Sequence, residues 1–356
     1  MEARELDQVK PGGFEQQMRS LLNTQATGLL VGIGYKTGLF DTMAGLPPST
    51  SRQIALSGGL NERYVREWLS AMVLGRILDY NPGDQTYYLP PERAAWLTRK
   101  AGANSLGSLA QFMTALSEVE PMVVKCFKDG GGVPGTAYTR LGQAEWADAG
   151  TQPVDSVLEV VPDVTDRLSK GIDVADIGCG GGEKLNMMAG AFPNSQFTGY
   201  DISEDAIANA RVQAKAKGLV NVHFEVEDAA TLGAVEKWDL VTAFFTIHDQ
   251  AKPRSVLRGI ERALRPGGAF LMVEVAASSR LEENLDHPLG SWHYGWSIMY
   301  CIAGSLSQNG EGLGAMWGTQ KALEMLAEAG FARVDAERIE SMITQVCFVA
   351  RKHQLS

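Results

Sequence analysis

Features that would define several classes of protein are scarce in this 356-residue chain. It has only four cysteines, Cys126, Cys179, Cys301 and Cys347, and no two of them stand in the CxxC spacing of metal and redox motifs. Cysteines scattered in this way argue against a disulfide framework and a structural zinc site. They are typical of a protein of the reducing cytoplasm.

Long apolar runs and an excess of positive charge are also missing. The N-terminal segment MEARELDQVKPGGFEQQMRS has no apolar core, so we expect no signal peptide, and the apolar stretches elsewhere are too short to span a bilayer. A net charge of −10 argues against broad affinity for nucleic-acid phosphates. We therefore expect a cytoplasmic protein whose partner is a small molecule, and neither a membrane nor a nucleic acid as a partner.

The N-terminal half of the chain is predicted to be mostly helical. Residues 1–100 contain helical apolar spacing, a candidate N-cap within Ser49–Ser51 and another at Asn61, and the segment DYNPGDQTYYLP, which predicts two short strands around a turn. Helix, helix and hairpin in this order predict a winged-helix domain. Residues 101–170 predict a helical connector that contributes to the substrate pocket and is interrupted by the glycine-rich loop 129–135.

From Gly171 onward, short β-rich runs alternate with helical stretches. The predicted strands are IDVADIG, SQFTGYD, NVHFEVED, DLVTAFF and AFLMVEV, and ARVDAERI and ITQVCFVARK are predicted to form a terminal pair. Strands that alternate with helices are typical of a parallel sheet covered by helices. Residues 171–356 therefore predict an α/β domain of the Rossmann-like type.

A glycine-rich turn follows the first of these strands. It runs from Asp176 through Gly178, Gly180 and Gly182, and glycines are needed there because the turn is tight and its backbone must approach a ligand closely. A dinucleotide site would have a sixth-position glycine, but Glu183 would crowd the helix and repel a pyrophosphate. S-adenosylmethionine (SAM) has no phosphate, and its ammonium group suits the acid that precedes the glycines.

Two further acids end the next two strands. Asp201 lies 19 residues after Gly182 and can accept both hydroxyls of a ribose, and Asp228, followed by Ala229, can accept from an adenine amino group. Each acid alone could be a helix N-cap or a solvated loop residue. Three acids at successive strand ends, in phase with the glycine turn, favour a SAM site.

These segments carry a resemblance to a known family. DVADIGCGGG, FTGYDIS, VEDA and ALRPGGAFLMVEV resemble the motif series of class I SAM-dependent methyltransferases over about residues 171–350. The whole chain resembles small-molecule methyltransferases of the plant O-methyltransferase type, and still more a bacterial group with the phrases IHDQAKP, ENLDHPLG and GLGAMWG. The resemblance implies a seven-stranded sheet with a reversed last strand, SAM as cofactor with S-adenosylhomocysteine as product, and dimerisation through the N-terminal domain.

The same resemblance suggests catalytic residues. In the plant enzymes a His-Asp pair at the position of His248 and Asp249 supplies a general base, and Glu274 matches the carboxylate that orients it. An imidazole titrates near pH 6.5 and can take a hydroxyl proton. The alternative is a loop histidine bonded to backbone. The family often has a lysine where this chain has Phe244, which could still stack near the adenine or the sulfonium.

The stretch after Glu274 is unusually aromatic. Aromatic faces attract cations, so such a pocket could hold a sulfonium or a soft sulfur nucleophile, although helix packing would also explain it. The spacing of His287, His293 and Cys301 fits no standard ligand pattern, and we predict no metal. The predicted acceptor-binding residues are Tyr138, Trp292, His293, Tyr294, Trp296, Tyr300 and Trp317.

Two functions of different classes remain open at this point. The first is methyl transfer to a small molecule, with oxygen slightly favoured over a thiol or thioether sulfur and nitrogen third. The second is a SAM-sensing transcriptional regulator whose winged helix binds DNA. The helix ERYVREWLSAMVLGRI mixes acidic and basic residues evenly and has no basic face, which favours the enzyme.

Overall fold

The computed structural model describes residues 11–142, 158, 161–338 and 344–353, which divide into two compact units. One unit holds the described residues up to Ser117 together with residues 140–142. The other holds residues 118–139 and the described residues from 158 onward. The predicted connector 101–170 is therefore shared between the two units, and residues 143–157 and 159–160 of it lie outside the described chain.

The first unit is helical with one β-hairpin. Its helices are α1 (Pro11–Lys36), α2 (Leu39–Ala44), α3 (Ser51–Gly58), α4 (Glu62–Leu74), α5 (Pro91–Leu97) and α6 (Leu106–Leu116). Its strands β1 (Asp79–Asn81) and β2 (Thr86–Tyr88) pair antiparallel. The predicted N-caps are confirmed: Thr50 forms a capping box with Gln53, and Asn61 accepts a hydrogen bond from the Arg63 N–H. The predicted winged-helix arrangement is confirmed with them.

A buried indole organises the core of this unit. The Trp68 ring meets the edge of Phe40 with 5.2 Å between centroids, and its Nε1 donates to the Leu30 carbonyl at 2.8 Å. Gly34 of α1 lies directly against this ring, because a β-carbon there would stand 2.4 Å from Trp68 Cζ2. Gly32 of α1 similarly faces the backbone of Ala110 in α6. These close approaches explain why a long apolar helix contains glycines.

The second unit is a seven-stranded sheet covered by helices. Its strands are β3 (Asp173–Ile177), β4 (Gln196–Asp201), β5 (Val222–Val226), β6 (Trp238–Phe244), β7 (Leu264–Val275), β8 (Arg333–Arg338) and β9 (Gln345–Arg351). Their order in the sheet is β5-β4-β3-β6-β7-β9-β8. Strands β3 to β7 pair in parallel, whereas β9 is antiparallel to both of its neighbours. The predicted sheet with a reversed last strand is confirmed.

Helices cover both faces of this sheet. The helices that follow α6 are α7 (Glu120–Asp129), α8 (Thr139–Gly142), α9 (Pro162–Lys170), α10 (Glu183–Ala191), α11 (Glu204–Ala216), α12 (Pro253–Ala263), α13 (Gly290–Trp296), α14 (Ile302–Ser307) and α15 (Thr319–Ala329), and the division between the two units falls within α8. Alternate strand residues point to opposite faces. Val174 therefore packs in one core with α9 to α11, and Ala175 packs in the other with α12 and α15.

This topology places one set of strand ends together. The carboxyl ends of β3 to β7 share one edge because the strands are parallel, and ligands of such sheets bind outside that edge. None of the helices in the described parts of the chain combines the length and the apolar character needed to cross a membrane.

Candidate active site

The glycine-rich turn leaves β3 along a path that a side chain would block. Gly178 has φ 67° and its N–H donates to the Tyr200 carbonyl at 2.8 Å, which ties the turn to β4. A β-carbon on Gly178 would lie 2.0 Å from Thr246 Oγ1, in the turn that follows β6. Gly182, with φ 77°, opens α10 in the left-handed region that favours glycine. The backbone that follows β3 at Gly178 therefore packs directly against the side chain of Thr246, which follows the neighbouring strand β6.

Asp176 lies beneath this turn and is buried. Its side chain is 3% exposed, and Thr242 Oγ1 on β6 donates to its Oδ1 at 2.7 Å. Burial raises the pKa of Asp176 to about 7, although the Thr242 hydrogen bond and the Lys184 ammonium lower it. A buried carboxyl of this kind gains from a cationic ligand, because a nearby positive charge favours the ionised form. This geometry fits the ammonium group of SAM.

The structure also adds a lysine that sequence reasoning missed. Lys184 Nζ, from the first turn of α10, lies 5.1 Å from the centroid of the Phe244 ring. Burial lowers the pKa of Lys184, while Asp176 and Glu183 act in the opposite direction. The family often has a lysine at the position of Phe244; in this chain the ammonium group of Lys184, from a different element, lies beside that position instead. No local sequence signal predicts the contact between Lys184 and Phe244.

Asp201 ends β4, and Asp228 lies two residues after β5, on the same edge of the sheet. Asp201 Oδ2 accepts the Gly180 N–H and its Oδ1 accepts the Ser203 N–H, both at 2.9 Å. Asp228 Oδ1 accepts the Ala230 N–H at 2.8 Å, and Ala229 is buried beside it. Each carboxylate oxygen can accept a second hydrogen bond, so capacity for a ligand remains. The structure thus brings the predicted cofactor-binding residues to one edge.

His248 occupies a short turn directly after β6. It is 3% exposed, and its Nδ1 is hydrogen-bonded to the carboxylate of Glu274, which ends β7 and is 1% exposed. Because Glu274 engages Nδ1, Nε2 is the ring atom that can exchange a proton with a ligand, and it faces Asp249 Oδ1 at 3.4 Å. Burial lowers the pKa of His248, but the Glu274 and Asp249 carboxylates raise it more, to a net value well above 6.5.

The thiol of Cys301 lies beside His248 and Asp249. Cys301 is 1% exposed and lies within hydrogen-bonding reach of the His248 ring and the Asp249 carboxyl. Burial raises the pKa of Cys301 to about 12, so the neutral thiol is its resting form. His287 and His293, which the sequence groups with Cys301, instead meet each other with 5.5 Å between ring centroids.

Four aromatic rings form a continuous row, which we call the aromatic ladder: Trp292, Trp296, Tyr300 and Tyr138. The two tryptophans stack at 5.4 Å, Trp296 meets Tyr300 at 5.7 Å, and Tyr138 meets the edge of Tyr300 at 5.1 Å. The Tyr138 hydroxyl donates to the Met299 carbonyl at 2.9 Å. Trp296 and Tyr300 pack against the cluster that contains Cys301, so the ladder leads toward His248.

The remaining predicted acceptor-binding residues are not part of the aromatic ladder. The His293 ring is 5.2 Å from that of Trp292, whereas Tyr294 is 37% exposed. Trp317 is buried in the core between the sheet and α15, while its neighbour Met316 packs in the cluster with Cys301. Packing therefore accounts for the position of Trp317, and its predicted contact with the acceptor stays a prediction.

Two family models match the chain, and a curated relative matches part of it. Residues 25–99 match the Rv2258c-like winged HTH domain, and residues 168–330 match a methyltransferase domain. Trans-aconitate 2-methyltransferase of Methylobacterium nodulans is 28% identical over 144 residues, which are 40% of this chain and 49% of that protein. The chain thus spans about half the length of that curated relative.

Solved structures match over nearly the whole chain. An O-methyltransferase family protein from Burkholderia thailandensis has a TM-score of 0.70 at 16% identity and covers 96% of this chain and 98% of its own. Human N-acetylserotonin methyltransferase, solved in complex with SAM, has a TM-score of 0.67 at 18% identity and covers 99% and 100%. At these identities the likeness shows the fold.

Together these findings define the class of protein. The chain joins a winged helix-turn-helix domain of the Rv2258c-like type to a methyltransferase domain of the class I SAM-dependent group. Its fold is that of the plant-type small-molecule O-methyltransferases. The predicted fold class and the predicted family resemblance are both confirmed.

Proposed function

We propose that this protein transfers the methyl group of SAM to an oxygen atom of a small-molecule acceptor. The observation that carries the choice of oxygen is the buried His248–Glu274 pair at the carboxyl edge of the sheet. A hydroxyl must lose its proton as it is methylated, and a positioned imidazole can take it. A thioether has no proton to lose, so a fixed base would serve no purpose for that acceptor.

Each part of the SAM molecule is assigned to residues at a different strand end. Asp176 would hold the ammonium group beneath the glycine-rich turn, and Asp201 would accept the ribose hydroxyls. Asp228 would accept the adenine amino group, beside the buried surface of Ala229. When bound, SAM supplies an electrophilic methyl group. Phe244 and Lys184 border the same edge and complete the proposed pocket.

His248 and Glu274 share the proposed chemistry. His248 accepts the acceptor's proton at Nε2, because Nδ1 is engaged with Glu274. Glu274 holds the ring in this orientation and stabilises the imidazolium that results. The aromatic ladder would present a flat apolar acceptor beside this base, since its four rings pack toward the cluster of Cys301.

The choice between oxygen and sulfur can be tested with matched acceptors. Full-length protein is incubated with SAM and with pairs of aromatic compounds that differ only in a hydroxyl or a thiol, and release of S-adenosylhomocysteine is measured. We expect the hydroxyl compound of at least one pair to be methylated. Substitution of His248 should reduce the rate of that methylation. Methylation of thiols or thioethers alone would contradict oxygen as the accepting atom.

We also propose that the protein is a homodimer joined through its N-terminal helices. Helix α1 exposes six large apolar side chains, Phe14, Met18, Leu21, Leu22, Leu29 and Ile33. Exposed apolar surface of this extent is typical of an interface. A DNA-binding role is not favoured, because Arg63 and Arg66 of α4 pair with Glu67 and Glu62, which leaves little net positive charge.

Light scattering tests the dimer. We expect the full-length protein to be dimeric at micromolar concentration and Leu22→Asp to shift it toward monomer, because the substitution places a charge on the apolar face of α1. The matched control is Leu56→Asp; Leu56 is a still more exposed leucine on α3 of the same unit. A monomeric wild-type protein at that concentration would contradict the proposal.

A further inference from the structure

Three different metal-ligating side chains converge at the candidate base. One ligand atom each of His248, Asp249 and Cys301 lies within 4.8 Å of the other two. Two of them belong to the turn after β6, and the third ends the π-helical segment Ser297–Cys301. The mechanism proposed above uses His248 but gives Cys301 no task, so the convergence needs a separate explanation.

The distances suit a small tetrahedral cation. Zinc binds nitrogen and oxygen at about 2.0–2.2 Å, so the edge between two such ligands in a tetrahedron measures about 3.3–3.6 Å. His248 Nε2 and Asp249 Oδ1 stand 3.4 Å apart, which is already such an edge. The Cys301 thiol lies within hydrogen-bonding reach of both other groups, and all three ligand atoms lie within 4.8 Å of one another.

The surroundings also match a metal-binding histidine. A ligating imidazole donates its other N–H to a carboxylate, and Glu274 provides that partner at His248 Nδ1. Asp249 Oδ1 is buried, and among the described residues it has no hydrogen bond of standard geometry, although the His248 ring and the Cys301 thiol lie beside the carboxyl group. A bound cation would satisfy this oxygen. A π-helical turn is itself a feature frequent at functional sites.

We infer that His248, Asp249 and Cys301 form a binding site for one thiophilic divalent cation such as Zn²⁺. The three side chains supply one nitrogen, one oxygen and one sulfur ligand, which leaves a fourth position for water. Binding releases the thiol proton of Cys301 and any proton on His248 Nε2 to solvent, because both ligands coordinate in their deprotonated forms. The sequence grouped Cys301 with His287 and His293, whereas the fold joins it to His248.

The inferred site has a consequence for activity that rests on the proposed function. The cation occupies the Nε2 lone pair of His248, so the same atom cannot accept a proton from the acceptor. Bound Zn²⁺ therefore inhibits methyl transfer reversibly. The coordination itself does not depend on that mechanism and can be measured without turnover.

Cobalt substitution tests the site directly. Full-length protein is titrated with Co²⁺, whose bond to a thiolate produces a charge-transfer absorption. We expect one Co²⁺ to bind per chain and the charge-transfer absorption to be lost in Cys301→Ser. The control variant Cys126→Ser, which replaces a half-buried cysteine of α7, should keep this absorption. Thermal denaturation of each variant checks that it folds. Absence of Co²⁺ binding in the wild type, or a charge-transfer band that survives Cys301→Ser, would overturn the inference.

A second pair of measurements separates the site from the base. Glu274→Gln should weaken Co²⁺ affinity by about 10–100-fold, because it alters the partner that orients the ligating histidine. Zn²⁺ should inhibit the wild-type enzyme, EDTA should restore activity, and Cys301→Ser should resist inhibition. Stoichiometric binding without inhibition would support the cation site and would contradict His248 as the base.

Discussion

Replacement of His248 by alanine is expected to lower kcat by about 10²–10⁴-fold, the usual contribution of a positioned general base. SAM affinity should remain nearly unchanged, because the acids proposed to bind the cofactor lie at the ends of β3 to β5, whereas His248 lies in the turn after β6 and is assigned no contact with SAM. Steady-state kinetics with a methylated hydroxyl acceptor, in the presence of EDTA, give the value. His223→Ala, which removes an exposed histidine of β5, is the matched control and should leave kcat unchanged.

The pH dependence of the same enzyme provides a second readout. The carboxylates of Glu274 and Asp249 hold the pKa of His248 well above 6.5, even though burial acts in the opposite direction. The protonated ring cannot act as a base, so kcat/KM should fall as pH decreases through this raised pKa. Glu274→Gln should move the acidic limb to lower pH and reduce kcat less than His248→Ala does. A variant His248→Ala that keeps more than about a third of wild-type kcat would contradict the base.

Replacement of Asp201 by alanine is expected to weaken SAM binding by about 1–3 kcal/mol, because it removes charge-assisted hydrogen bonds to the ribose. The side chain has two tasks in the structure. Its oxygens accept the N–H groups of Gly180 and Ser203, and each oxygen can accept one further hydrogen bond, which we assign to the ribose hydroxyls. Loss of the carboxylate therefore removes the ligand contact and also loosens the glycine-rich turn.

Isothermal calorimetry distinguishes this effect from a general loss of charge. The matched control is Asp205→Ala, which removes an exposed acid from the first turn of α11, four residues further along the chain. We expect the control to bind SAM as the wild type does. Equal affinities of Asp201→Ala and wild type would show that the ribose does not lie at the end of β4.

Much of the fold could be predicted from local patterns. The strands β3 to β7 appear as short apolar runs between helical stretches, and the helix starts at Thr50 and Asn61 follow from side chains that cap backbone N–H groups. The glycine-rich turn was predictable because the left-handed backbone at Gly178 and Gly182 restricts the choice of residue. These features depend on neighbours in sequence.

The contacts that complete the site depend on packing between distant segments. Lys184 and Phe244 come from different elements, and Thr242 meets Asp176 only because β6 lies beside β3. Cys301 reaches His248 through a π-helical turn that no sequence pattern predicts. Met316 and Trp317 show the same limit, because they enter different hydrophobic clusters although they are adjacent in the chain.

The titration of the full-length wild-type protein with SAM tests the central claim most directly. The claim is that the carboxyl edge of this sheet, with Asp176 and Asp201 around the glycine-rich turn, is one complete cofactor pocket. The account predicts saturable binding of one SAM per chain, with competition by S-adenosylhomocysteine. Calorimetry that shows no saturable binding of either molecule by folded protein would contradict it.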